Sequence, residues 1–172
     1  MNKIIREALE ITNDLGPVTF VGAVAVMLQT KQMRHSQDID FVIKGKLSNE
    51  DLLHKQYRII RENRKEKIYT PRGYKVDIYS SRNLNEIPLK TIIDTAQAIP
   101  VDKKGNTVNT MSLEALIVSK FRANREQDHE DLHRIASTRY KDIREDKLEE
   151  LAKSDMEFQE IKNVLKFYAD NK

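Results

Sequence analysis

The chain has 172 residues, 39% of them hydrophobic and 33% charged, with a net charge of +3 at neutral pH. That is enough apolar material for one folded domain beneath a charged exterior, and it contains no uninterrupted apolar run long enough to span a membrane. The absence of cysteine excludes disulfides, thiol catalysis and thiolate metal sites, and a cytoplasmic location is expected.

In chain order, "MNKIIREALEITNDLG" carries acidic residues inside an apolar pattern and reads as an amphipathic helix rather than a signal peptide, closed by "DLGP". "VTFVG" is a short β-branched and aromatic run ending at Gly22, and "AVAVMLQTK" after it has helical length and composition. "DIDFVI" is the second strand. "KGKLSNEDLLHKQ" turns into a short helix with Ser48 as N-cap before Glu50 and Asp51. Three strands follow, "YRIIRE", "KIYTP" and, after the turn signal "PRG", "YKVDIYS". "NEIPLKTIIDTA" is expected to be partly helical, and "QAIPVDKKGNTVNTMS" reads as a hairpin tipped by "DKKGN".

From Ser112 the pattern becomes helical. "SLEALIVSKFRANREQ" has a serine N-cap and apolar residues at Leu113, Leu116, Ile117 and Phe121. "DHEDLHRIASTRY", "IREDKLEELAKS" and "DMEFQEIKNVLKFYADNK" complete the tail, with Met156, Ile161, Leu165 and Tyr168 expected to pack inward. The expected class is therefore α/β (α+β), a mixed β-sheet flanked by helices. Residues 1–110 form the α/β core and 111–172 a helical region packed on it.

Asp38 and Asp40 lie two apart on a strand, so both point to one face, roughly 6.5–7 Å apart along the chain. Ile39 and Phe41 then point into the core. Asp77 stands in the same setting, between Val76 and Ile78. If the two strands neighbour each other, three carboxylates converge and repel, and a hard cation such as Mg²⁺ or Mn²⁺ would relieve that conflict. A lone D-x-D is also what a capped turn or a pair with Arg34, Lys44 or Lys75 would leave in a sequence. The upstream strand–Gly22–helix favours the metal reading, because a glycine there admits a phosphate close to the backbone and a helix N-terminus attracts anions.

This ordered set resembles the signature of the DNA polymerase beta-like nucleotidyltransferase superfamily: a glycine and a small residue, a helix, D-h-D/E-h, then a third acid on a later strand. Gly22 and Ala23 match the first part, Asp38 and Asp40 the pair, and Asp77 the third acid. "RHSQDID" is similar to the subgroup containing toxin–antitoxin nucleotidyltransferases. "MSLEALIVSKFRANREQDHEDLHRIA" is similar to its Lys-bearing helix and D-x-x-D-L segment, and the likeness covers about residues 17 to 136.

The resemblance implies a transfer of NMP from an NTP to an acceptor hydroxyl on RNA, protein or a small molecule. By it, Asp38, Asp40 and Asp77 would bind metal, and Asp77 would assist deprotonation. Gly22, Ala23, Arg34 and Lys120 would hold the nucleotide, and Asp128 and Asp131 would flank the cleft. An antitoxin-type protein partner belongs to the same implication. Ala23 stands where the family usually has Gly or Ser, so the backbone can donate to a phosphate but a hydroxyl cannot. The alternative is a catalytically inactive nucleotide- or RNA-binding module with the same fold.

Other residues carry two readings each. Lys120 would by default be solvated, and Arg34 could as well pair with one of the strand aspartates. The basic run "RIIRENRKEK" is either a solvated edge that discourages aggregation or a contact for a phosphate backbone. His35, His54, His129 and His133 have no convincing zinc arrangement.

Overall fold

The computed structural model describes residues 2–81 and 83–171. Helix α1 (Lys3–Leu15) begins where the Asn2 side chain accepts from the Ile4 N–H, and ends at Gly16 with φ of 84°. Strand β1 (Thr19–Phe20) has only two residues, both buried, and leads directly into α2 (Gly22–Thr30). Strand β2 (Asp38–Val42) follows, then α3 (Asn49–His54), capped as expected by Ser48 in a reciprocal bond with Asp51. Strands β3 (Arg58–Glu62), β4 (Lys65–Tyr69) and β5 (Lys75–Tyr79) form a meander.

A two-residue hairpin, β6 (Asn83–Leu84) and β7 (Ile87–Pro88), precedes α4 (Leu89–Asp94). It turns through Asn85 and Glu86, both at positive φ, a pair that matches the twist of a tight hairpin. Strands β8 (Gln97–Pro100) and β9 (Thr107–Thr110) make the expected hairpin. Helices α5 (Leu113–Ala123), α6 (Glu126–Arg139), α7 (Glu145–Leu151) and α8 (Asp155–Asp170) complete the fold, with a 3-10 turn at Tyr140–Asp142.

The sheet runs in the order β3-β4-β5-β2-β1-β9-β8. Its centre is mixed: β2 is antiparallel to β1 and parallel to β5, and β1 is parallel to β9. Alternation along each strand gives two apolar layers. Ile39, Phe41 and Val76 face one core with Ala8 and Ile11 of α1 and Leu52 of α3. Val42 faces the other, shared with Val21, Ala25 and Val26, with Leu116 and Ile117 of α5, Leu132 and Ile135 of α6, and Ile161 and Leu165 of α8.

Two readings of the tail need correction. The helical spacing from Ser112 continues to Gln127, but α5 ends at Ala123 because Asn124 takes the left-handed conformation, φ 51°. Met156 does not pack inward; it is 71% exposed. It lies two residues before Phe158, about 200° round the helix from the buried Phe158, Ile161 and Leu165.

Candidate active site

The parallel pairing of β2 with β5 is in register Asp40↔Asp77 and Asp38↔Lys75. Paired residues point to the same face, so one rim of the sheet presents Asp38, Asp40, Asp77 and Lys75 together. The three aspartates border a cleft of about 260 Å³, whose other walls include Gly22 and Ala23, Arg34 before β2, Ser119 and Lys120 of α5, and Arg125 at the start of α6.

Gly22 is required twice. Its φ is +57°, and a Cβ built on it would stand 2.6 Å from the Oδ2 atom of Asp40. The carboxylate thus fills the space a side chain would take. Val21, the N-cap of α2, supplies no side-chain acceptor, so the first turn of α2 opens on the cleft uncapped. Gly22→Ala is expected to cost about 1–3 kcal/mol of stability from backbone strain and to displace Asp40. Urea denaturation measures the first effect, and loss of nucleotide binding by calorimetry the second.

The charges are crowded. Burial, and then the neighbouring charges of Asp77 and Asp38, push the Asp40 carboxyl up to about 6, against the opposing pull of Lys120 and Lys75. Lys75 Nζ lies 3.1 Å from Asp38 and 3.3 Å from Asp77. Burial works to lower the Lys75 pKa, but the Asp38 hydrogen bond and both carboxylate charges hold it above the usual lysine value. Burial, with Asp40 and Asp77 nearby, also raises the Tyr79 phenol.

The opposite wall is a chain of ion pairs. Lys120, whose side chain is 6% exposed, hydrogen-bonds Asp128 at 2.9 Å and stands 2.7 Å from Asp131 Oδ2 as an ion pair. Arg34 bonds Asp131 at 2.7 Å, and Arg125 bonds Asp128 at 2.7 Å. Burial would raise the Asp128 carboxyl, but hydrogen bonds from Arg125 and Lys120 hold it below its ordinary value. Lys120 is therefore not a solvated lysine, and the partner of Arg34 is Asp131 rather than Asp38 or Asp40.

Sequence reasoning missed Arg125, which reaches the cleft only because the helix breaks at Asn124. It also missed Asn85, whose side chain donates to Ser119 Oγ at 2.8 Å and lines the cleft from the small hairpin. The left-handed preference of asparagine at 85 and 124 was the available signal. His129 bonds Asn124 and the Tyr168 hydroxyl at the surface, away from the aspartates.

The residues suit a hard divalent cation by donor chemistry. The donors are all oxygen, and the Asp40 carboxyl is raised by burial and then by Asp77 and Asp38, a rise that Lys120 and Lys75 only partly offset. Among the described residues no three acidic or imidazole groups are already gathered at metal-ligand spacing. Lys75 stands between two of the acids instead.

A mixed sheet carrying acids beside a glycine-led helix, backed by further helices, is the fold of nucleotidyltransferase-like proteins. It is shared with an antigenic nucleotidyltransferase-like protein from Paracoccidioides brasiliensis, at TM-score 0.54 and 14% identity over 98% of this chain and 87% of that one. The antibiotic-resistance factor ANT(2'')-Ia matches at TM-score 0.55 and 15% identity, over 98% and 96% of the two chains. JHP933 from Helicobacter pylori matches at 0.52 and 16%, over 98% and 89%. The chain belongs to the family described as "Nucleotidyltransferase of unknown function (DUF6036)", whose model matches residues 1–170. No curated protein matches the sequence significantly. No helix among the described residues is long and apolar enough to cross a membrane.

Proposed function

We propose that this protein is a divalent-cation-dependent enzyme that transfers NMP from an NTP to an acceptor hydroxyl. The observation that carries the reading is the register Asp40↔Asp77, with Asp38 on the same face and Gly22 against Asp40. Membership of a nucleotidyltransferase family supports it. Asp38, Asp40 and Asp77 would hold Mg²⁺ or Mn²⁺, which when bound would draw charge from the triphosphate and lower the pKa of the acceptor hydroxyl.

The chain's own groups would do the rest. The backbone at Gly22 and Ala23, on the open first turn of α2, would donate to the triphosphate. Arg34, Lys120 and Arg125 would set positive charge on the far wall, where the leaving pyrophosphate gathers charge. Asp77, partly exposed on the rim, would take the proton of the acceptor hydroxyl as its oxygen bonds the α-phosphorus and the bond to pyrophosphate breaks. Incubation with each α-labelled NTP and Mg²⁺ or Mn²⁺ tests this. Transfer of label with pyrophosphate release is expected, and its absence with every NTP and acceptor class overturns the assignment.

A non-catalytic nucleotide- or RNA-binding module is the second reading, favoured by Ala23 and by the Lys75 ammonium between Asp38 and Asp77. The two readings part at pyrophosphate release. An antitoxin-type protein partner and a cytoplasmic site of action belong to the toxin-like form of the first reading, and a stable complex purified from the native cell would support it.

Lys75 makes a separate prediction. Its ammonium competes with any cation for two of the acids, so Lys75→Met is expected to tighten Mn²⁺ binding about tenfold without NTP, a 1.4 kcal/mol change. Electron paramagnetic resonance of free Mn²⁺ measures it. Weaker binding in the variant would make Lys75 a support of the site rather than a competitor.

A further inference from the structure

The sheet register carries the aspartate rim further than the cleft. Asp38 pairs with Lys75, Lys75 with Tyr69, and Tyr69 with Arg58, so one row crosses four strands from β2 to the free edge at β3. Beside it Ile60 pairs with Lys67 on β3–β4, and Asp77 with Asp40 on β5–β2. Pairing and alternation put all of these on one face. At about 4.8 Å per strand, three intervals span roughly 14 Å.

The reverse face is closed: Ile59, Ile68 and Val76 pack into the layer beneath α1 and α3. This face is open. Arg58 is exposed, Ile60 is 40% exposed, and the Lys67 side chain is 41% exposed. The Arg58 guanidinium lies over the Tyr69 ring, 5.8 Å from its centre. Lys67 is paired with Glu62, while Arg58 and Lys65 have no acidic partner among the described residues.

A ring, a guanidinium laid on it, an aliphatic neighbour and surplus positive charge form the chemistry that receives a single-stranded polynucleotide: bases stack and phosphates find cations. A polycationic small acceptor would meet like charge here. We propose that the β3–β4–β5 face is the acceptor platform, and that the acceptor is the single-stranded 3′ end of a polynucleotide, led over Arg58 and Tyr69 to Asp77. This rests on the NMP-transfer reading above. In the step it implies, the terminal 3′ oxygen bonds the α-phosphorus, the Pα–O bond to pyrophosphate breaks, and the hydroxyl proton passes to Asp77.

The test uses the full chain without NTP or metal, with fluorescein-labelled single-stranded RNA, single-stranded DNA and a blunt duplex, followed by anisotropy. Single strands are expected to bind in preference to the duplex, the RNA and DNA arms identifying which polymer is preferred. With Arg58 and Lys65 each neutralising one phosphate, the log–log salt slope should be about −1.4. Arg58→Glu, a surface change, should weaken binding at least tenfold and flatten the slope. Arg58→Ala with Tyr69→Ala should weaken it further.

Binding is read apart from chemistry. Asp40→Asn should bind the oligonucleotide while transferring nothing, so retained binding without any NMP transfer by the wild type would sink the enzyme reading and leave the platform. No binding of either polymer, binding indifferent to Arg58→Glu, or labelling confined to a protein or small molecule would overturn the platform.

Discussion

Asp40→Asn is expected to abolish transfer and stabilise the protein at the same time. On the proposed reading Asp40 would be a shared metal ligand, and its loss would cost several kcal/mol of transition-state stabilisation, at least about a thousandfold in rate. The stability gain follows from the carboxyl's raised pKa, about 6 against an ordinary 3.8. Between those values the native state holds a proton that the unfolded chain has lost, so stability falls as pH rises through the interval and stays low above it. The cost at pH 8 is on the order of 2–3 kcal/mol. Asparagine keeps the shape and cannot ionise. Its melting temperature should exceed the wild type's by several degrees at pH 8, with the difference gone near pH 4. Scanning calorimetry at both pH values measures this, and an unchanged or lower melting temperature at pH 8 would mean that Asp40 is not crowded.

Lys120→Met should do the opposite. It leaves Asp128 and Asp131, both fully buried, with one arginine each, and the Asp128 partner Arg125 is itself 71% exposed. Breaking a buried pair from one side typically costs 3–5 kcal/mol, and the surviving arginines place this case near about 3. The Asp128 carboxyl is held low in the folded state, so its contribution exists above about pH 4 and is lost as pH falls through the folded value. The deficit of the variant should therefore be largest at neutral pH and shrink on acidification. Chemical denaturation across pH 3–8 follows it. A deficit under about 0.5 kcal/mol would return Lys120 to the status of a surface lysine.

The carboxylate face was legible because strand alternation is a local rule: positions 38 and 40 must share a face, and 77 sits between two apolar neighbours just as 40 does. Serine caps at 48 and 112 were legible for the same reason, each being decided within four residues. What the sequence did not disclose is pairing. That β2 lies parallel to β5, placing Lys75 opposite Asp38, depends on the β3–β4 hairpin folding outward to the sheet edge, and nothing near residue 38 encodes it. The break at Asn124 was marked only by the left-handed preference of asparagine, with neither proline nor glycine beside it. Without that break Arg125 would continue α5 and its side chain would leave the cleft wall. The ion-pair reading of Arg34 named the strand aspartates, because Asp131 is distant in sequence and comes close only in the folded chain.

Val42 ends the strand that carries Asp38 and Asp40, and Val21 immediately precedes Gly22, and both belong to the buried layer that residues of α5, α6 and α8 complete. Stripping those helices away would wet the face that Val42 shares with Asp38 and Asp40, two residues from Asp40. The cleft and the tail thus persist or unravel as a unit. A cavity opened at Leu165, far from any nucleotide, would be felt as slack where the acids must hold still.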